Sequence, residues 1–159
     1  MTTRSLPMAL MSMSLLAAWL GAAAFVAGVI APAAFAVLPT RALAGAIVGR
    51  ALPVLFTLGM LFGAAVGFMN QSMGAGRSAS GGAAALAVAS ASAVLVTIRL
   101  RMTVAAVGVP IDALERADPR RIAFGRMHGL SVLLLGIGLL AAGVALIAIA
   151  RHVTSRSIA

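Results

Sequence analysis

Few side chains in this sequence carry obvious chemistry, and their spacing limits what they can do. The three carboxylates, Asp112, Glu115 and Asp118, fall inside one polar stretch. None lies within an apolar run, which argues against an intramembrane proton relay or a carrier coupled to cations through buried acids. The two histidines, His128 and His152, are 24 residues apart, roughly 36 Å along a helix. They cannot ligate one haem or one metal ion within a single subunit. Cysteine is absent, which removes disulfides, thiolate nucleophiles, iron–sulfur clusters and cysteine zinc sites together. No phosphate-binding loop, no metal-binding histidine pair on one helix and no nucleophile elbow occurs. No catalytic residue, metal site or cofactor is therefore expected.

Methionine is the one soft donor present in quantity. Met8, Met11 and Met13 open the first apolar run, Met69 and Met73 close the second, and His152 follows the last. Thioethers with an imidazole suit Cu(I). Methionine in apolar helices is also an ordinary gap-filler.

The elements that must hold these groups follow from composition. Of 159 residues, 62% are hydrophobic and 9% charged, with a mean hydropathy of +1.12. Soluble domains hold roughly 45–50% and about 25%. A soluble domain of this length could not bury so much apolar surface, and disorder needs the opposite bias. The sequence predicts an all-α integral membrane protein.

All 12 basic residues are arginines, and three acids leave a formal charge of +9. In a soluble chain that balance would suggest nucleic acid. Here the arginines border apolar runs and aromatics are only 4%, so no nucleic-acid partner is expected. The arginines read as anchors at the headgroups of the lipid bilayer.

Uncharged gaps of 36, 26, 21 and 24 residues separate Arg4 from Arg41, Arg50 from Arg77, Arg77 from Arg99, and Arg126 from Arg151. Each holds one span of about 20 residues and none holds two. Spans are expected near 8–30, 51–70, 81–100 and 129–150, forming a four-helix bundle that is one membrane domain over residues 1–159. The first apolar stretch, Met8 to Ile30, precedes a small-x-small site at Ala34-Phe35-Ala36. Its 23 residues exceed the roughly 7–15 of a signal core, so it reads as a retained helix.

The connections carry their own signals. Pro32 and Pro39 bracket a short connector, and Thr40 caps a helix starting at Arg41. Residues 41–50 form an interfacial turn or the first part of a long second helix, kinked at Pro53. Asn70 to Gly82 reads as a flexible loop. In the third connection, 101–128, charges alternate with Ile111, Leu114, Ile122 and Phe124, as in a short amphipathic surface helix. Asp118 and Pro119 mark the next helix start.

Four spans put Arg4, Arg77, Arg151 and Arg156 on one side. Arg41, Arg50, Arg99, Arg101, Arg116, Arg120, Arg121 and Arg126 fall on the other, eight against four. The positive-inside rule then places the first and third connections in the cytoplasm and both termini outside, in a bacterial inner (plasma) membrane.

Glycines supply the packing signals. Gly45 and Gly49, then Gly59, Gly63 and Gly67, recur every fourth residue, and Gly129, Gly136 and Gly143 repeat at seven. Such faces let helix backbones approach closely, within the bundle or across a homo-oligomer seam. Ser90 and Ser92 can bond their own helix or a neighbour.

His128 stands at the lip of the last span. With Arg50, Arg99, Arg121, Phe124 and Ser131 it forms the candidate functional lip; the plainer alternative is a polar residue satisfied at the interface. The run Arg120-Arg121-Ile122-Ala123-Phe124-Gly125-Arg126-Met127-His128-Gly129-Leu130-Ser131, followed by an apolar helix, resembles the last-span signature of the transmembrane protein 205-like family. Trp19, Gly21, Phe25, Pro32 and Phe35, then Pro39 and the segment Gly45 to Phe56, are similar to that family's opening helix and connector. The resemblance implies a four-span α-helical membrane domain of unestablished biochemical function. It makes Phe124, His128 and Ser131 the characteristic positions, with Trp19, Gly21 and Pro32 matching in the first half.

The reading that results is a non-enzymatic membrane bundle binding a partner, lipid or small solute at an Arg/His lip. The alternatives are a membrane redox or metal-handling protein using haem or copper, or an anthrone-oxygenase-like enzyme on layout alone.

Overall fold

The computed structural model describes residues 5–157; Arg4 lies outside the described residues, as does the side chain of Arg156. Four helical rods dominate. The first comprises α1 (Ser5–Phe25), a π-helical turn (Val26–Ile30) and α2 (Ala31–Val37). The others are α3 (Arg41–Met73), α4 (Arg77–Val107) and α5 (Pro119–Ser157). All four are long and apolar enough to cross a membrane. The molecule is an all-α four-helix membrane bundle.

The ends of these rods are set by local chemistry. Thr40 accepts the Leu43 N–H at 3.2 Å and caps α3, which begins at Arg41 as expected. Residues 41–50 are thus the first turns of the long second helix, with Pro53 inside it. That helix runs to Met73 and stops at Gly74, whose φ of 64° is left-handed. Ala75 N–H reaches back to the Asn70 carbonyl at 3.0 Å and Gly74 N–H to that of Gln71 at 3.2 Å. These are the two bonds of a Schellman stop. The loop expected from Asn70 to Gly82 therefore shrinks to Gly74, Ala75 and Gly76, because the serines and small residues after Arg77 continue as α4.

Pro32 does not open a connector. The chain stays helical through it to Val37, and the break comes only at Leu38. The preceding π turn, with Ala31 N–H on the Val26 carbonyl, widens the backbone where the proline ring would otherwise crowd the turn before it. In the third connection the expected amphipathic surface helix is a single 3-10 turn, Ile111–Ala113. Gly108 at φ 72° ends α4, and Pro119 starts α5 early, so Ile122 and Phe124 belong to the last helix.

α4 packs against α3 and α5, and α1 packs against α3 and α5 from the other side. Trp19 is the central knot. It is 2% exposed, and its indole N–H donates to the Leu55 carbonyl at 2.9 Å. Glycine makes its pocket: a Cβ at Gly59 would stand 2.7 Å from the indole nitrogen, and one at Gly138 3.1 Å from the ring.

Gly63 and Gly82 hold the tightest crossings. A Cβ at Gly63 would meet the Ala83 carbonyl and Ala87 nitrogen at 2.7 Å. One at Gly82 would meet the Ala141 carbonyl at 2.8 Å and the Ala145 nitrogen at 2.9 Å. Gly67 meets only ordinary contact, with the Ala83 methyl at 3.9 Å. The seven-residue repeat of α5 is different. Gly129, Gly136 and Gly143 have nothing within 4 Å, so the close face of α5 is built on Gly138, Ala141 and Ala145 instead. Gly45 and Gly49 likewise face open space.

Candidate functional site

The α5 residues Arg121, Phe124, His128, Ser131, Leu135, Gly138, Ala142, Ala145 and Ile149 alternate at three and four residues, so they form one stripe along the helix. From Ser131 to Ile149 the stripe is buried. Toward the helix start its cover is lost: Phe124 and Arg121 are half-buried and His128 is exposed. The same helix face thus serves as core at one end and as an open lip at the other.

Three facts explain the lost cover. No residue of the π turn or α2 is buried, and none of α4 beyond Thr97. The third connection crosses α5 only near Arg121, whose guanidinium donates to the Leu114 carbonyl at 2.6 Å and to that of Asp112 at 3.4 Å. Arg121 therefore staples this connection to α5.

Within the lip, Phe124 and His128 are one turn apart, and their rings lie parallel at a centroid distance of 6.1 Å. Ser131 donates its hydroxyl to the His128 carbonyl at 2.8 Å, so it is tied to its own helix. The Arg50 and Arg99 side chains are exposed, and neither guanidinium forms a hydrogen bond or ion pair among the described residues. Of the candidate lip residues, the fold brings together Phe124, His128 and Ser131, and neither Arg50 nor Arg99 pairs with them. His152 sits near the far end of α5, and no group of three or more His, Cys, Asp or Glu is placed to hold a metal ion among the described residues.

The start of α5 is electrostatically set. Asp118 accepts the Arg120 N–H at 2.8 Å and pairs with its guanidinium at 2.8 Å. The Arg120 side chain, then its backbone N–H, holds the Asp118 carboxyl down to about 2 from an ordinary 3.8. This is the cap expected from Asp118 and Pro119.

Arg101 was counted in sequence only as an anchor, and it does more. Pro53 has no N–H, so the carbonyl four residues earlier, Gly49, loses its helical donor. The Arg101 guanidinium, from α4, donates to that carbonyl at 3.1 Å. Two arginines thus answer backbone carbonyls at this end, while Arg50 and Arg99 are free.

Residues 14–109 match the family described as Domain of unknown function (DUF4149). The chain belongs to this family. The matched region runs from α1 to just past α4, holding Trp19, the Gly59–Gly63 crossing and the Pro53–Arg101 device, and it ends before Phe124 and His128. Among curated proteins none matches the chain, and among solved structures none does.

Sequence reading missed Asn70. It is fully buried, and neither its amide nitrogen nor its amide oxygen has a partner. The available signal was register: Asn70 falls on the Gly59, Gly63, Val66, Met73 stripe of α3, a core face, and not in a loop.

Proposed function

We propose that this DUF4149 protein is a non-enzymatic multi-pass protein of a bacterial inner membrane that binds a lipid or small anionic solute at its arginine-rich end. The observation that carries the reading is the α5 stripe, which leaves the core and continues as exposed His128 and half-buried Phe124 and Arg121. An aromatic–imidazole platform at the end of the bundle that also carries free guanidiniums offers apolar contact and anion binding together. The likeness of Phe124 to Ser131 to the transmembrane protein 205-like signature supports the same positions. The eight-to-four arginine split supports a cytoplasmic lip and external termini.

The test is thermal unfolding of detergent-purified protein with added phosphatidylglycerol, phosphatidylcholine, or inorganic phosphate. Phosphatidylglycerol or phosphate should raise the midpoint, and Phe124→Ala with His128→Ala should abolish the rise while His152→Ala keeps it. An equal response to phosphatidylcholine, or a rise untouched by the double variant, would refute the lip. For orientation, a cytoplasmic reporter fused near Ala113 should be active; activity of a periplasmic one there would reverse it.

A further inference from the structure

The opposite end of the bundle, where α1 starts and α3 stops, holds buried polar groups that the fold does not satisfy. Asn70 has zero exposure, and both amide atoms lack partners. A buried amide in that state is costly for each unmet group, and in an apolar bundle it calls for an explanation. Ser12 of α1 is also fully buried, and its hydroxyl has only the Met69 sulfur, at 3.8 Å. A thioether is a weak acceptor. Two independent polar groups, one on each of two packed helices, are thus left short of partners.

The surrounding donors are soft. At 100° per residue, Met69, Met73 and Asn70 fall within about 100° of arc on α3; Met69 meets Ser12 of α1, and Asn70 shares the register of Gly59 and Gly63, whose neighbours lie on α1 and α4. Met8 precedes Ser12 by one turn on the same side of α1. Met73 belongs to the buried core, and Met8 and Met69 pack against that core half-buried. Met11, by contrast, is 60% exposed.

We propose that Met69, Met73 and the Asn70 amide oxygen, with Met8 across from them on α1, bind one soft monovalent cation of the Cu(I) class between α1 and α3. Neutral thioethers and an amide oxygen carry no charge to balance a divalent ion. Calcium and magnesium take six or more oxygen ligands, and structural zinc takes thiolate, imidazole or carboxylate. Thioether sulfur selects a soft d10 monovalent ion. The position suits entry, because Met73 is the last residue of α3 and Met8 lies in the first turns of α1.

The experiment is titration of the full detergent-purified chain with Ag(I), a redox-inert probe of the same class, in chloride-free buffer, read by calorimetry and native mass spectrometry. One ion per chain is expected. Met69→Leu with Met73→Leu, which nearly conserves volume, should weaken binding at least about tenfold, and Met11→Leu should not change it. Asn70→Leu should separate the two roles: weaker silver binding, and a higher thermal midpoint without metal because the orphaned amide is gone. The proposal falls if the wild type binds no more tightly than the Met69/Met73 double variant. It also falls if binding is lost with Met11→Leu, or if Asn70→Leu leaves affinity unchanged.

Discussion

The two ends of this bundle are made from the same four helices and packed by different rules. At the end bearing the termini, small residues let backbones touch: Gly63 on Ala83 and Ala87, and Gly82 on Ala141 and Ala145. There the α5 stripe is buried from Ser131 to Ile149. At the arginine-rich end no glycine makes such a crossing among the described residues, the stripe is uncovered at His128, and arginines reach carbonyls instead, Arg101 from α4 to Gly49 of α3 and Arg121 from α5 to Leu114 of the third connection. The difference teaches where van der Waals packing can hold a membrane bundle. Close approach needs glycine or alanine on both partners. Where the glycines face open space, as Gly45 and Gly49 do, arginine–carbonyl hydrogen bonds supply contacts in their place.

That contrast can be broken most severely at the tight crossings. Gly63→Leu should prevent folding, since its Cβ alone would meet backbone atoms that cannot move aside. Loss of a monodisperse peak in size-exclusion chromatography is the expected result, and a normal peak with an unchanged melting curve would disprove the crossing. Next in size, Trp19→Ala should cost about 3–5 kcal/mol, the usual loss for a buried large aromatic. Phe124→Ala, half-buried in the lip, should cost about 1 kcal/mol or less by area burial. Parallel denaturation curves would compare them.

Arg101→Ala sharpens the comparison from the other side. It strips the partner from the Gly49 carbonyl, and because the site is exposed the expected loss is about 1 kcal/mol, at the low end for an unmet backbone group. Arg99→Ala, whose side chain makes no such bond, should be near neutral in the same assay. Smaller still, Gly136→Ala and Gly143→Ala should each be neutral or stabilising by up to about 1 kcal/mol, since a methyl there meets nothing. Destabilisation by either would mean that a second copy covers that face.

The smallest effect is a pH response at the start of α5. The Asp118 carboxyl is held down to about 2, below its ordinary 3.8, by Arg120. Its stabilising contribution is present above about pH 4 and is lost as the pH falls toward 2. Hydrogen exchange at Arg120 to Ile122 should therefore quicken over that window, and Asp118→Asn should remove the pH dependence there.

Much of this fold was legible in the residues themselves. Four uncharged gaps implied four spanning helices, since charge is costly in hydrocarbon and 20 apolar residues cross it. Thr40 and the Asp118-Pro119 pair marked two helix starts, because a side-chain oxygen next to free N–H groups caps wherever the chain allows. These are local causes. The connectors were less legible: Pro32 looks like a break until the π turn is seen, and Asn70 looks like loop until Gly74 is found to end the helix four residues later.

What the sequence determined alone was the solvent, the number of crossings and the caps at Thr40 and Asp118. All depend on composition or on neighbours a few residues apart. Tertiary structure decided which glycines matter, Gly63 and Gly82 in place of Gly136 and Gly143, because a glycine face is used only where another backbone arrives. It also decided that Arg101 answers the proline at position 53, that Trp19 fills the space left by Gly59 and Gly138, and that Asn70 is enclosed without a partner. Those outcomes join residues tens of positions apart, and only the packing of whole helices against one another brings such residues within reach.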